Sequence, residues 1–412
     1  MLNALRTLGE KAATTGALVT ALGRHAIRQG RPPSYRNRPP LRIAIDLSPA
    51  MLPAPSGLGR YITLLAGALI AEDTGNDYTL LLAKSGACPI TTGRARARRL
   101  RFPVTILERL AGPPRIEVAT GPIDLFHCQL GFTPPFIYGP LVVTIHDILP
   151  LLRPEAFRGD FPALLRAHAT TLAKAATLVI TGSHSAAREI TRVLPVSDDR
   201  VRVIPHAPDP RFQEACPPEK RAAMRAALRL AGPYVLALGT VSLHKNHARL
   251  VRGFAAIARE VPHTLVIAGR PDTGWDEVTR AIQETGLSNR VCLLGFTPDE
   301  HLPALVAEAD LLAQPSLYEG FGLPVLDAMA AGIPVACSNA SAIPEVAGAA
   351  AEYFDPQDLC SIADALRLVL TDADRHEALR HAGRAHAAGF TWEKTARLTA
   401  KVYVEAALLH RN

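Results

Sequence analysis

No stretch of the 412 residues reaches the roughly 18 uninterrupted apolar residues that a membrane-spanning helix requires. The chain is therefore expected to be soluble or peripheral. Its six cysteines, at 88, 128, 216, 292, 337 and 360, include no CxxC pair and no Cys/His cluster at zinc-ligand spacing. A structural zinc site is excluded on that pattern, and a reducing cytoplasm is the compartment that fits. Charged residues make up only 20% of the chain against 48% hydrophobic, the balance of well-packed globular domains. Repeats and low-complexity tracts are missing. At this length one ordinary core is too small, so two domains are expected.

Acidic residues are also scarce in the first 40 positions, where Arg6, Lys11, Arg24, Arg28, Arg31, Arg36 and Arg38 face only Glu10. That segment accounts for six of the seven net positive charges, so the body is nearly neutral and nucleic-acid binding is not expected. Leu2, Leu5, Leu8, Ala12, Leu18, Leu22 and Ala26 recur at helical spacing until Arg31-Pro32-Pro33 ends the pattern. Residues 1–31 read either as a loosely docked extension or as an amphipathic contact with the inner face of the cell membrane. The apolar run 17–22 is short and no small-residue cleavage site follows it, which argues against a secretory signal.

From residue 41, short apolar β-branched runs alternate with helix-length patterns, the signature of buried parallel strands joined by crossover helices. One set of strands is expected at Arg42–Leu47, Tyr78–Ala83, Asp124–Cys128, Leu141–His146, Thr177–Thr181 and Val201–Ile204. A second is expected at Tyr234–Leu238, Thr264–Ala268, Val291–Leu294, Asp310–Ala313 and Pro334–Cys337. Between them, Pro208, Pro210, Pro217 and Pro218 interrupt regular structure, which places a hinge over His206–Pro218. The expected organisation is an extension over 1–40, a first domain over 41–210, a second domain over 211–390, and a helix over 391–412 packing back on the first domain. That helix carries Leu398, Val402, Val404 and Leu408 as its apolar residues.

The most informative stretch runs from Pro315 to Val335 as strand, loop, helix, strand. Pro324 suits the first helical turn and Gly332 the position after the helix. Gly320 and Gly322 allow close backbone approach, and the helix N-terminus behind them offers free N–H groups and positive dipole to a phosphate. Glu319 and Asp327 bracket the turn. Each alone reads as an ordinary loop or helix-start carboxylate. Carboxylates accept hydrogen bonds from hydroxyls, so a diphosphate flanked by polyols, a nucleotide sugar, satisfies the whole set.

This Glu-Gly-Phe-Gly-Leu-Pro segment resembles retaining glycosyltransferase family 4, the group 1 glycosyl transferases. The resemblance continues through Ser338–Gly348, especially to mannosyltransferase-like members of bacterial surface polysaccharide synthesis, and covers roughly residues 41–405. It implies an α/β fold of GT-B type, two Rossmann-like doubly wound parallel-sheet domains facing across a cleft. It also implies that Glu319 faces the donor sugar, that Phe321, Gly322 and Leu323 offer amides to sugar and phosphate, and that Asp327 takes the ribose hydroxyls. The family usually has Glu at this last position. Gly239 to His247 resembles the family's basic phosphate loop, giving Lys245 the diphosphate. Thr240 and His244 stand where relatives place arginine, so one positive charge is either missing or conditional on histidine protonation near about pH 6.5.

In the first half, Ser56-Gly57-Leu58-Gly59-Arg60-Tyr61 resembles the glycine turn that faces the donor phosphate, and Thr144-Ile145-His146-Asp147 the element whose histidine approaches the transferred sugar. His184, in a partial match, receives no role. Asp372-Ala373-Asp374 has the form of a metal-binding DxD pattern but opens a helical segment, where acids cap, so no metal and no cofactor beyond the nucleotide-sugar co-substrate is expected. The resemblance implies hexosyl transfer with retention, GDP-mannose favoured over a UDP-sugar, to a glycan or lipid-linked hydroxyl. Two other readings stay open: a catalytically weak GT-B subunit that binds nucleotide sugar or a partner enzyme, and a sugar-nucleotide epimerase.

Overall fold

The fold is taken from a computed structural model, which describes residues 39–51, 57–82, 88–90, 95–99, 116–131, 139–157 and 159–411. The basic extension, apart from Pro39 and Pro40, and Ser56 lie outside the described residues. Among the described residues no helix is long and apolar enough to cross a membrane.

The first sheet contains β1 (Arg42–Asp46), β2 (Asp77–Leu82), β3 (Arg96–Arg99), β4 (Leu125–Gln129), β5 (Leu141–Thr144), β6 (Leu178–Thr181) and β7 (Val201–Val203), in the order β3-β2-β1-β4-β5-β6-β7. The second contains β8 (Tyr234–Leu238), β9 (Thr264–Ala268), β10 (Val291–Gly295), β11 (Leu311–Gln314), β12 (Val335–Ser338) and β13 (Glu352–Phe354), in the order β10-β9-β8-β11-β12-β13. Every strand pairing is parallel. Both orders are doubly wound, so each sheet has a switch point, β1/β4 in one and β8/β11 in the other, where loops diverge and leave a crevice for ligand.

Alternation along each strand feeds two cores per sheet. Ile43 and Ile45 enter one with α1 (Gly57–Glu72), while Ala44, Phe126 and Val143 enter the other with α2 (Phe161–Ala175) and α3 (His184–Val193). In the second sheet Val235 and Ala237 meet α4 (His247–Ile257), α5 (Trp275–Thr285) and α7 (Leu359–Thr371), and Tyr234 and Leu236 share the opposite core with α6 (Leu323–Ala331). α8 (Ala373–Ala387) packs against α6. Each fully buried aliphatic side chain contributes about 1.5–3 kcal/mol, so faces covered on both sides favour this architecture strongly.

The last helix, α9 (Trp392–Arg411), follows the second lobe but packs on α1 of the first, with Trp392, Ala396, Val402, Tyr403 and Ala406 in its core. Of the four apolar residues expected on it, Val402 and Val404 are buried. Leu408 is only half-buried and Leu398 packs at the margin, while Thr395, Thr399 and Tyr403 are also inside, the two threonine hydroxyls donating to the Pro205 and Thr395 carbonyls.

The structure adds β3 and β13, and ends β5 at Thr144, leaving His146 and Asp147 in the loop beyond it. The crossover from Pro205 contains only the single turn Pro210–Phe212 before a helix starts at Pro218.

Candidate active site

At the end of β8 the chain turns through Gly239, whose φ of +128° favours glycine. Gly269, at the end of β9, is packed so closely that a Cβ there would lie 1.8 Å from the Gly239 carbonyl oxygen. The next turn, Leu243–Lys245, is fixed by Asn246, whose amide donates to the Pro315 carbonyl at 3.0 Å and the Pro356 carbonyl at 2.8 Å. Lys245 is thereby aimed across the switch point. Its Nζ lies 2.6 Å from Glu319 Oε1, which also accepts from Ser316 Oγ at 2.7 Å and Gln314 Nε2 at 2.9 Å. Burial alone would raise the Glu319 carboxyl, but the Lys245 charge and these hydrogen bonds outweigh it and lower its pKa. Glu319 is thus a fixed anion.

The loop then presses on the other lobe. A Cβ at Gly320 would come within 2.4 Å of the His146 carbonyl oxygen, and Ser183 Oγ donates to the Gly320 carbonyl at 2.7 Å. Gly322, at φ +107°, opens α6, and Gly332, at φ +76°, closes it. Asp327 lies one turn in. Its Oδ1 accepts the N–H of Asp209 in the crossover at 2.9 Å, and burial pushes its pKa to about 7. Asp209 pairs with Arg60 at 3.4 Å and Arg211 at 2.7 Å, and both arginines also pair with Asp299.

From the first lobe, a Cβ at Gly59 would meet the Pro49 carbonyl oxygen at 2.7 Å, whereas Gly57 faces open space. Gly59 therefore sets how closely α1 approaches its neighbouring turn. His146 has both ring nitrogens engaged, Nδ1 with His206 Nε2 at 3.1 Å and Nε2 with Gln129 Oε1 at 3.2 Å. Burial lowers its pKa to about 4, and burial followed by the neighbouring His146 charge lowers that of His206, so both are neutral at pH 7. His206 is 2% exposed and touches Tyr61 and His146 of the first lobe and Phe321 of the second.

These groups enclose a cavity of about 570 Å³ between the lobes. Of the sequence-selected residues, His146, Lys245, Glu319, Gly57, Thr240, Phe321, Gly322, Leu323 and Asp327 line it. Gly59 and His244 do not. His244 instead stacks on Phe157 of the first lobe, with 6.3 Å between centroids, and burial followed by the Lys245 charge lowers its pKa to about 4. A conditional charge at this position is therefore absent at neutral pH. Asp372 caps α8 by accepting the Arg375 N–H at 2.9 Å.

Sequence reasoning missed Arg60, His206, Asp209, Arg270 and Phe296, all on the cavity wall. Arg60 stood inside the quoted glycine turn, and its charge was the available signal. The others follow strand ends singly, without a local pattern.

Two doubly wound lobes facing across a cleft, with a lysine, a glutamate and a glycine-opened helix at the second switch point, define a GT-B glycosyltransferase. The family described as Glycosyl transferases group 1 matches residues 221–386, and Glycosyltransferase Family 4 matches residues 55–212. The chain is 32% identical over 266 residues to O-antigen chain mannosyltransferase B of Escherichia coli, covering 64% of this chain and 69% of that protein. It is 32% identical over 332 residues to D-inositol 3-phosphate glycosyltransferase of Salinispora tropica, covering 73% and 68%. Among solved structures, sucrose-phosphate synthase from Thermosynechococcus elongatus shares the fold, with a TM-score of 0.67 at 21% identity over 89% of this chain and 98% of that one. The chain belongs to the group 1, family 4 glycosyltransferases.

Proposed function

We propose that this glycosyltransferase transfers mannose from GDP-mannose to a glycan or lipid-linked hydroxyl, with retention and without a metal ion. The observation that carries the reading is the Lys245–Glu319 pair at the second switch point, beside the Gly322-opened α6 and opposite His146. The ammonium suits the diphosphate and the carboxylate suits sugar hydroxyls. His146, Thr240, Phe321, Leu323 and Asp327 complete the wall, with Gly57 facing from the first lobe.

In this reading the bond from sugar C1 to diphosphate oxygen breaks and one from C1 to the acceptor oxygen forms on the same face. The acceptor proton passes to the departing diphosphate. Lys245 and the loop N–H groups stabilise the charge that develops there, the role preorganised donors perform best. Mannose is supported by the O-antigen mannosyltransferase relative, and a UDP-sugar is the next donor class.

The binding-subunit alternative draws support from two features, a neutral His244 and an Asp327 tied to the crossover. The test is incubation of purified protein with GDP-mannose or UDP-sugars and oligosaccharide acceptors, followed by NMR of the product. An α-donor is expected to give an α-linkage. A β-linkage overturns retention, and tight donor binding without turnover favours the subunit.

A further inference from the structure

A nucleoside diphosphate brings at least two negative charges into a cavity whose cations are mostly committed. Lys245 is paired with Glu319, and Arg60 and Arg211 with Asp209 and Asp299. Thr240 and His244 add no charge at neutral pH.

Arg270 differs. It is exposed, lines the cavity, and pairs with no carboxylate among the described residues. Its guanidinium rests on the Phe296 ring, 4.6 Å from the centroid, and that ring is itself 52% exposed. A cation on an exposed ring is weakly held, whereas a guanidinium with a phosphate makes paired charge-assisted hydrogen bonds. Its backbone is fixed beside the phosphate turn: Gly269 abuts Gly239, and the Arg270 carbonyl accepts the Val241 N–H at 2.8 Å.

We infer that Arg270 leaves the Phe296 ring on donor binding and supplies the second positive charge to the diphosphate, replacing the arginine that Thr240 and His244 do not provide. The inference rests on the reading of the cavity as a nucleotide-sugar site. It locates that second charge in the turn after β9 rather than in the turn after β8.

The test is calorimetric titration of GDP, GMP and guanosine, or the uridine series if that base binds better, into wild type, Arg270→Gln, Arg270→Lys and Lys245→Ala. Arg270→Gln is expected to weaken GDP binding by roughly tenfold or more and to leave guanosine unchanged, with Arg270→Lys retaining most of the affinity. Unfolding temperature should not move, because the side chain is exposed. Equal losses for GDP and guanosine mean that Arg270 reads the base, and overturn the inference. So does wild-type GDP affinity in Arg270→Gln while Lys245→Ala has lost it. If wild type binds no nucleoside diphosphate at all, the donor reading itself falls, and the inference with it.

Discussion

Lys245 and Glu319 have side chains only 15% and 11% exposed, so neither charge can be removed alone without consequence. Lys245→Ala leaves a buried carboxylate unpaired and is expected to lower stability by about 3–5 kcal/mol as well as turnover. Adding Glu319→Gln should recover most of that stability but none of the activity, which denaturant unfolding and product assays on the two variants distinguish. Asp327 gives a pH signature. Its folded pKa of about 7 lies above the ordinary 3.8, so its contribution is complete at low pH and is lost as pH rises through 7. Asp327→Asn keeps an acceptor for the Asp209 N–H and carries no charge. Unfolding temperatures from pH 5 to 8 should therefore fall less in the variant than in wild type. His206→Phe fills the same space without the N–H that faces His146 Nδ1, and a drop in kcat with donor KM unchanged is expected. An unchanged kcat would show that His206 serves packing alone. The places of Glu319, Lys245 and Gly322 on the cavity wall were legible because dense local strings carry the family resemblance, not because any one of them is distinctive alone. His206 and Asp209 were not, because their partners, His146 and Asp327, are 60 and 118 positions away.

At the scale of elements, the loop from Glu319 to Gly322 is both a ligand wall and a contact between lobes. Gly320→Ala would thrust a methyl group against the His146 carbonyl, holding the lobes apart while each remains folded. Expected outcomes are near-native circular dichroism, a larger radius of gyration in small-angle scattering, and kcat reduced by about tenfold or more. The buried strands were readable because their apolar runs carry their own signal. β3 was not, since Arg96-Ala-Arg-Arg99 is exposed throughout and gains its strand geometry from β2 alone. β13 is three residues long and depends on β12 in the same way. The break in regular structure after β7 followed from proline chemistry. The buried face of α9 was legible in part: Val402 and Val404 are inside as expected, but Thr395 and Thr399 are inside too, because their hydroxyls find backbone carbonyls that no local pattern announces.

For the whole molecule, the chain crosses between lobes twice, once through the crossover after β7 and once at the start of α9. The crossings touch: Trp392 Nε1 donates to the Pro208 carbonyl at 3.0 Å, and Thr395 Oγ1 to the Pro205 carbonyl at 2.8 Å. Two tethers pinned at one edge permit rotation about that edge and oppose translation or twist. Substrate entry should consequently resemble the opening of a book along its spine.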